Sequence, residues 1–281
     1  MSPWSAPKTS EPGFLALLAG EDEIATEDVA IVVAHPDDET IGCGAQLSRL
    51  RGATLVHITD GAPRNMQDGR AHGFETLDAY AAARRRELET AVSLAGIGSE
   101  ALLGFGVPDQ EAAFQFADAA RRLAALFTER GIAVVLTHAY EGGHPDHDAI
   151  AFAVHAARGL LEGGGQDLAI VEMPLYHASP SGWVTQRFIP DPERPELAAW
   201  LSGDQRGLKG RMIAAHATQQ GTLAAFVSDF ERFRAAPVYD FTVLPNGGDL
   251  LYERYDWGVT GARWQALVRA ALAELQLERA A

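Results

Sequence analysis

Val29-Ala-Ile-Val-Val-Ala-His-Pro-Asp-Asp-Glu39 runs six apolar residues straight into an imidazole and three carboxylates. A continuous apolar run cut off by a sharp polar break predicts a strand buried on both faces. The C-terminal end of such a strand is where open α/β sheets hold their ligands. There His35, Asp37, Asp38 and Glu39 share a small volume, a costly arrangement near a core unless something positive binds them. A divalent metal is the simplest candidate, and Gly143-His-Pro-Asp-His-Asp148 offers further ligands.

Outward from that strand the chain alternates. Thr40 to Leu50 reads as a helix opened by small residues, Gly52 stops it, and Ala53 to Thr59 reads as a second strand. This βαβ unit predicts parallel pairing with a right-handed crossover. Pro63 to Phe74 is a long loop rich in Gly, Asn, Asp and Arg. A helix over Tyr80 to Leu94 carries Arg84 and Glu87 one turn apart, and Leu102 to Phe105 is a short strand with Asp109 just beyond it. Phe116, Ala120, Leu123 and Phe127 recur at helical spacing within Phe114 to Glu129. Ile132 to Thr137 is the next buried strand, followed by a loop to His147, a helix over Asp148 to Leu161 and a strand over Leu168 to Met173.

Beyond Pro174 the pattern loosens. Residues 174–200 predict an irregular rim, Leu208 to Phe226 a helix, and Ser228 to Arg234 a helical turn. Asp240 to Leu244, Asn246-Gly247 and Leu250 to Glu253 predict a β-hairpin at the sheet edge, and Ala262 to Leu277 a last helix. The expected architecture is α/β, a Rossmann-like three-layer sandwich with a mostly parallel sheet and an accessory C-terminal region. One domain is expected over 1–281, with a catalytic core at 25–175 and cleft and sheet-edge elements at 176–281.

The 281 residues are 47% apolar, enough for a full core, and carry a net charge of -15. That charge argues against a nucleic-acid partner, because phosphate backbones are held by clustered Lys and Arg. Lys8 and Lys209 are the only lysines, and no apolar run reaches the length of a membrane span. Cys43 is the single cysteine, which excludes an intrachain disulfide and a thiolate metal site. Residues 1 to about 25 read as a polar lead-in with an apolar turn at Phe14 to Leu18, and not as a signal peptide. A soluble cytoplasmic protein is expected, with oligomeric state open.

His35 and Asp38 stand three apart across a proline, and His144 and His147 repeat that spacing around Pro145 and Asp146. Both motifs follow a predicted buried strand, so both should open onto one edge of a parallel sheet. Zinc accepts imidazole nitrogen and carboxylate oxygen, and a catalytic site keeps a position for water. Manganese or iron suits similar ligands. A surplus carboxylate can take a proton from an activated water, and an imidazole can serve the leaving side. The constellation reads as metal-assisted hydrolysis of a carbonyl group. HExxH, GxSxG and a phosphate-binding Gly-rich loop are absent from the sequence.

Ala34-His-Pro-Asp-Asp-Glu39 together with Gly143-His-Pro-Asp-His147 resembles the LmbE/PIG-L family of zinc-dependent N-acetylglucosaminyl deacetylases, which includes those of mycothiol, bacillithiol and GPI-anchor precursor synthesis. The resemblance covers about residues 29–175. It implies a zinc ion, one per subunit, held by His35, Asp38 and His147, with Fe2+ or Mn2+ as alternatives. It further implies Asp37 as general base and His144 as the imidazolium that stabilises the oxyanion and assists amine departure. Asp146 matches the neighbour that tunes His144, and Arg84 and Asp109 match contacts of the sugar pocket. The mycothiol enzyme has a mobile tyrosine two residues before the first histidine of its second motif. Here that position is Gly142, and Tyr140 is the nearest tyrosine.

The implied reaction is removal of an N-acetyl group from a small N-acetylglucosamine-containing molecule. Hydrolysis of another N-acyl amide on an unusual sugar or secondary metabolite is the alternative, and a metal-dependent sugar-binding protein without catalysis is the alternative of another class. His216 is a candidate cleft residue or plain helix packing. Trp183, Trp257 and Trp264 are candidate sugar platforms or rim packing, Asp60 and His138 candidate supports of the site, and His57 a core residue.

Overall fold

The computed structural model describes residues 10–255 and 257–278. In chain order the elements are α1 (Glu11–Ala19), β1 (Val29–Val33), α2 (Asp38–Cys43), β2 (Thr54–Thr59), α3 (Gln67–Ala71), α4 (Leu77–Ser93) and β3 (Leu102–Val107). There follow α5 (Phe116–Arg130), β4 (Val134–His138), α6 (Pro145–Glu162), β5 (Ala169–Met173), β6 (Tyr176–Ser179) and β7 (Gly182–Thr185). The chain continues with β8 (Leu197–Trp200), α7 (Gly203–Ala215), α8 (Gln220–Leu223), β9 (Phe230–Ala235) and α9 (Gly261–Leu275).

Seven strands form one sheet in the order β3-β2-β1-β4-β5-β9-β8. The first five pair in parallel, with Ala30 against Thr54, Val29 against Val134 and Val134 against Ala169. β9 and β8 add an antiparallel edge. Every residue of β1 is buried, and alternate side chains serve two cores. Ala30 and Val32 join α5, α6 and α9 on one face, where Phe127, Phe152 and Trp264 pack. Val29, Ile31 and Val33 join α1, α4 and α7 on the other, with Phe14, Leu88 and Met212. The expected α/β sandwich, with helices on both faces and a C-terminal helical region, is the observed one.

The strand order reverses direction between β1 and β4, and both histidine motifs leave the sheet there. Diverging connections open a crevice at such a point. α2 begins at Asp38, a short turn after the end of β1 at Val33. α6 begins at Pro145, with His144 as its N-cap and Asp146 and Asp148 in its first turn. Proline suits the first helical position, and acidic groups favour the positive end of the helix dipole.

The C-terminal half departs from expectation in three places. Residues 174–200 hold strands β6, β7 and β8 rather than an irregular rim. Ser228 to Arg234 is not a helical turn: Phe230–Ala235 is β9, which pairs with both β5 and β8. Phe230 and Phe233 imitate helical spacing, but Glu231 is buried against Lys209, so a charge sits within the buried stripe and hides the strand period. Residues 240–253 form no hairpin ladder. Asn246 and Gly247 do turn with positive φ, yet Asn246 Nδ2 donates to Ala178 O and Asp249 O, and they lie within one 3-10 turn that a second follows. Phe241 and Tyr252 enter the core instead of facing each other across strands. Phe14 to Leu18 lies within the helix α1. Residues 1–9 of the expected polar lead-in lie outside the described residues.

Candidate metal centre and active-site cleft

At the β1 and β4 ends the two motifs meet. His35 Nδ1 lies 3.2 Å from His147 Nε2 and 3.2 Å from Asp38 Oδ2, and His147 Nε2 lies 3.3 Å from Asp38 Oδ1. A tetrahedral ion with metal–nitrogen bonds near 2.0–2.1 Å sets its ligand atoms about 3.3 Å apart. These donors therefore fit a small divalent ion. Several polar atoms nearby are already engaged in hydrogen bonds. Both oxygens of Asp146 accept backbone N–H groups, from Gln110 at 2.6 Å and Ala112 at 3.1 Å. His144 Nδ1 accepts from the Asp146 N–H at 3.1 Å, and His138 Nε2 accepts from Ala34 N–H at 2.9 Å. His138 stacks on His147 at 4.3 Å and supports the centre from beneath.

Asp37 lies beside the triad, only 7% exposed. Burial raises its pKa, opposed by the Arg84 guanidinium. Arg84 Nη2 lies 3.1 Å from Asp37 Oδ2, and Nη1 donates to Gly61 O at 2.8 Å. Gly61 has φ +64°, and a Cβ there would meet Pro36 and the Arg84 guanidinium at 2.8–2.9 Å, so the side chain passes only because glycine is present. Arg84 thus contacts Asp37 rather than offering a surface charge. Glu87, one turn on, accepts from Thr218 N and Oγ1, tying α4 to the segment after α7.

Asp38 is held well below the usual carboxylate range: burial acts to raise it, but His147, His35 and His138 prevail. Asp109 is likewise lowered to about 2, because the nearby His35 outweighs its burial. His35 is itself raised, burial notwithstanding, by Asp109 and Asp38. His144 moves the other way, to about 3, through burial and then the charge of His35. Burial and the charge of His35 thus favour the neutral form of the His144 ring. With Nδ1 accepting from Asp146 N–H, its proton is on Nε2, which faces Asp109 Oδ1 at 4.0 Å. Asp146 acts on the site through its backbone and through His35, 3.3 Å from its carboxylate, rather than by a carboxylate bond to His144.

The structure brings His35, Asp37, Asp38, Arg84, Asp109, His144 and His147 to one cleft. Two expected residues are elsewhere. The Tyr140 hydroxyl donates to Val243 O at 3.1 Å, and the ring packs on Phe241 and Trp264 in the core. Its position on the strand-end loop turns it under the sheet, away from the cleft. His216 is fully buried behind the site, 3.2 Å from Thr40 Oγ1, in a network where His57 Nε2 contacts Glu39 at 3.0 Å. Asp60 accepts from Ala62 N and Asp109 N and shapes the loop. Trp264 is core, whereas Trp183 and Trp257 line the cleft together with Tyr176, Leu223 and Phe226. Gln110, non-glycine with φ +71°, holds its strained turn by donating to Asp146. Sequence spacing gives no signal for Gln110 or Tyr176, because Gln110 reaches the cleft from a loop and Tyr176 from the strand β6.

The GlcNAc-PI de-N-acetylase (PIG-L) family model matches residues 30–158. A relative from Catenulispora acidiphila, 1D-myo-inositol 2-acetamido-2-deoxy-alpha-D-glucopyranoside deacetylase 2, is 34% identical over 172 residues, covering 53% of this chain. The match spans 56% of that relative's length, little more than half. Among solved structures, a deacetylase of the teicoplanin biosynthesis pathway aligns at TM-score 0.55 and 16% identity, over 73% of this chain and 96% of its own. N,N'-diacetylchitobiose deacetylase from Pyrococcus horikoshii aligns at TM-score 0.53 and 20% identity, over 74% and 83%. Among the described residues no helix is long and apolar enough to cross a membrane. The chain thus has the PIG-L/LmbE-family fold, with a His/Asp cluster able to coordinate a divalent metal.

Proposed function

We propose that this protein is a zinc-dependent hydrolase that removes the N-acetyl group from a small N-acetylglucosamine-containing molecule. One observation carries the reading: the His35, Asp38 and His147 donor atoms lie 3.2–3.3 Å apart, with the buried, unliganded Asp37 carboxylate beside them. The deacetylase names of the relatives support the choice of an N-acetyl amide on an amino sugar.

A divalent ion held by His35, Asp38 and His147 would supply Lewis-acid polarisation of the amide carbonyl and acidify a water. Asp37 accepts that water's proton. Its burial makes it a stronger base than a solvated carboxylate, and Arg84 keeps it oriented. His144, neutral with its proton on Nε2, donates a hydrogen bond to the negative charge that develops on the carbonyl oxygen. When the C–N bond breaks, the departing amine takes up the proton first accepted by Asp37. Asp109 presents a carboxylate to sugar hydroxyls at the cleft wall.

The test is acetate release from N-acetylglucosaminides by the zinc-loaded protein. Asp37→Asn should lower kcat by about 10²–10⁴-fold, the usual worth of a general base, while zinc stoichiometry stays at one. A purified protein that binds no divalent metal, with Asp37→Asn as active as the parent, would overturn the reading.

A further inference from the structure

Six aromatic side chains form a closed circuit of ring contacts that begins and ends at the site. His144 and Trp257 lie 4.7 Å apart between centroids, and Trp257 and Tyr255 stack at 4.9 Å. Tyr255 meets Trp183 edge to face at 6.0 Å, and Trp183 stacks on Tyr176 at 4.7 Å. Tyr176 meets His147 at 5.2 Å, and His147 returns to His144 at 5.3 Å. The two histidines belong to the candidate centre, so the collar is continuous with it. The four other rings come from β6, β7 and the positions Tyr255 and Trp257, all outside the segment 30–158 that carries the family match.

Two of these rings remain open to solvent, Trp183 at 38% and Tyr255 at 43% exposed. Large apolar rings left open beside a cleft mark a binding surface. Trp183 gives its one side-chain donor to the Tyr255 hydroxyl at 3.0 Å, so it offers an incoming group a π face and no hydrogen bond. Leu175, Leu223 and Phe226 extend the apolar lining.

We propose that the collar is a subsite for a planar apolar group, an aromatic ring carried by the amino sugar close to its acylated amine. The inference rests on the deacetylase reading and narrows its substrate class. A second polyol ring in this position would find no hydrogen-bond donor on Trp183, whose indole N–H is already given to Tyr255. An aromatic ring there gains offset or edge-on contacts with Trp183 and Trp257. The rings are already stacked on one another, so little side-chain freedom is lost on binding.

N-acetylglucosaminides bearing methyl, myo-inositol or 2-naphthyl at C1 test this on the zinc-loaded enzyme. The 2-naphthyl compound should show kcat/KM at least about tenfold above the other two, mostly through KM. Trp183→Ala should reduce the naphthyl-to-methyl ratio to within about threefold, and Trp183→Phe, the milder change, should retain most of it. Calorimetric binding of 2-naphthyl and methyl glucosaminide, the deacetylated products, reads the subsite without catalysis and should give the same order. Equal kcat/KM and equal product binding across the series would overturn the subsite while leaving deacetylation intact. Acetate released from none of the three, with naphthyl binding still preferred, would overturn the deacetylase reading and keep the subsite.

Discussion

Lys209 has no exposed surface, and its ammonium donates to Ile41 O at 2.7 Å and Glu231 Oε1 at 2.8 Å. Glu231 Oε1 also accepts from Ala45 N at 2.8 Å, so the pair ties β9 and α7 to the C-terminal end of α2. Lys209→Met keeps similar volume but removes the positive charge. It leaves the Glu231 carboxylate buried with one backbone donor and the Ile41 carbonyl without its side-chain partner. Breaking one side of a buried ion pair costs about 3–5 kcal/mol. With an unfolding entropy near 2 cal/mol/K per residue, a chain of this length should lose roughly 5–8 °C in Tm. Urea unfolding of the parent, Lys209→Met and the double variant Lys209→Met/Glu231→Met measures the effect. The double variant should recover most of the loss, because no unpaired charge remains. A single variant within about 1 kcal/mol of the parent would refute the claim that this pair acts as a desolvated ion pair.

Two further perturbations address the loop that carries His144. A Cβ on Gly143 would run into the carbonyl oxygen of Tyr176, a backbone atom that cannot swing aside. Gly143→Ala should therefore displace His144 and lower kcat/KM by about 10²-fold or more, and a parental kcat/KM would show that the loop is not held there. Asp148 Oδ1 accepts from the N–H groups of Glu141 and Gly142, and burial, opposed by those two bonds, lifts its pKa from 3.8 to about 7. Its folded pKa exceeds the unfolded one, so between about pH 4 and 7 the native state retains a proton that the unfolded chain has lost. Stability should fall by a few kcal/mol as pH rises through that window and level off above it. Asp148→Asn removes this slope, and urea unfolding of metal-free protein from pH 4 to 8 should show its stability gaining on the parent's; parallel curves would count against the assignment.

The parallel half of the fold was legible because its central strands are short, mostly apolar runs. Val29–Val33, Thr54–Thr59 and Val134–His138 are buried along their whole length, so no alternation is needed to recognise them. The antiparallel edge was not legible for the opposite reason. β8 is only partly buried, with Trp200 at 74% exposed, so one face of it never had to be apolar. β9 hides a carboxylate in its inner stripe that only a lysine on another helix makes tolerable. Asn246-Gly247 signals a turn correctly, but a turn fixes a hairpin only when its flanks can pair, and here Phe241 and Tyr252 bury more surface in the core.

The site divides along the same line. Its candidate ligand donors were readable because each motif is contiguous and follows a strand, so the topology alone brings His35, Asp38 and His147 within 3.3 Å of one another. Protonation was not readable, since it depends on distances between motifs. His144 is pushed toward its neutral form because it is buried beside His35, and no count of residues between positions 35 and 144 conveys that burial or proximity. The same reasoning explains Tyr140 and Tyr176. Sequence proximity to His144 favours Tyr140, but Tyr140 leaves the β4 end toward Trp264 in the core. Tyr176, at the start of β6, arrives at His147 from a strand whose existence was not foreseen. The proposed catalytic chemistry is thus written in two short motifs, whereas the proposed substrate-selecting collar is assembled from C-terminal segments whose own secondary structure the sequence conceals.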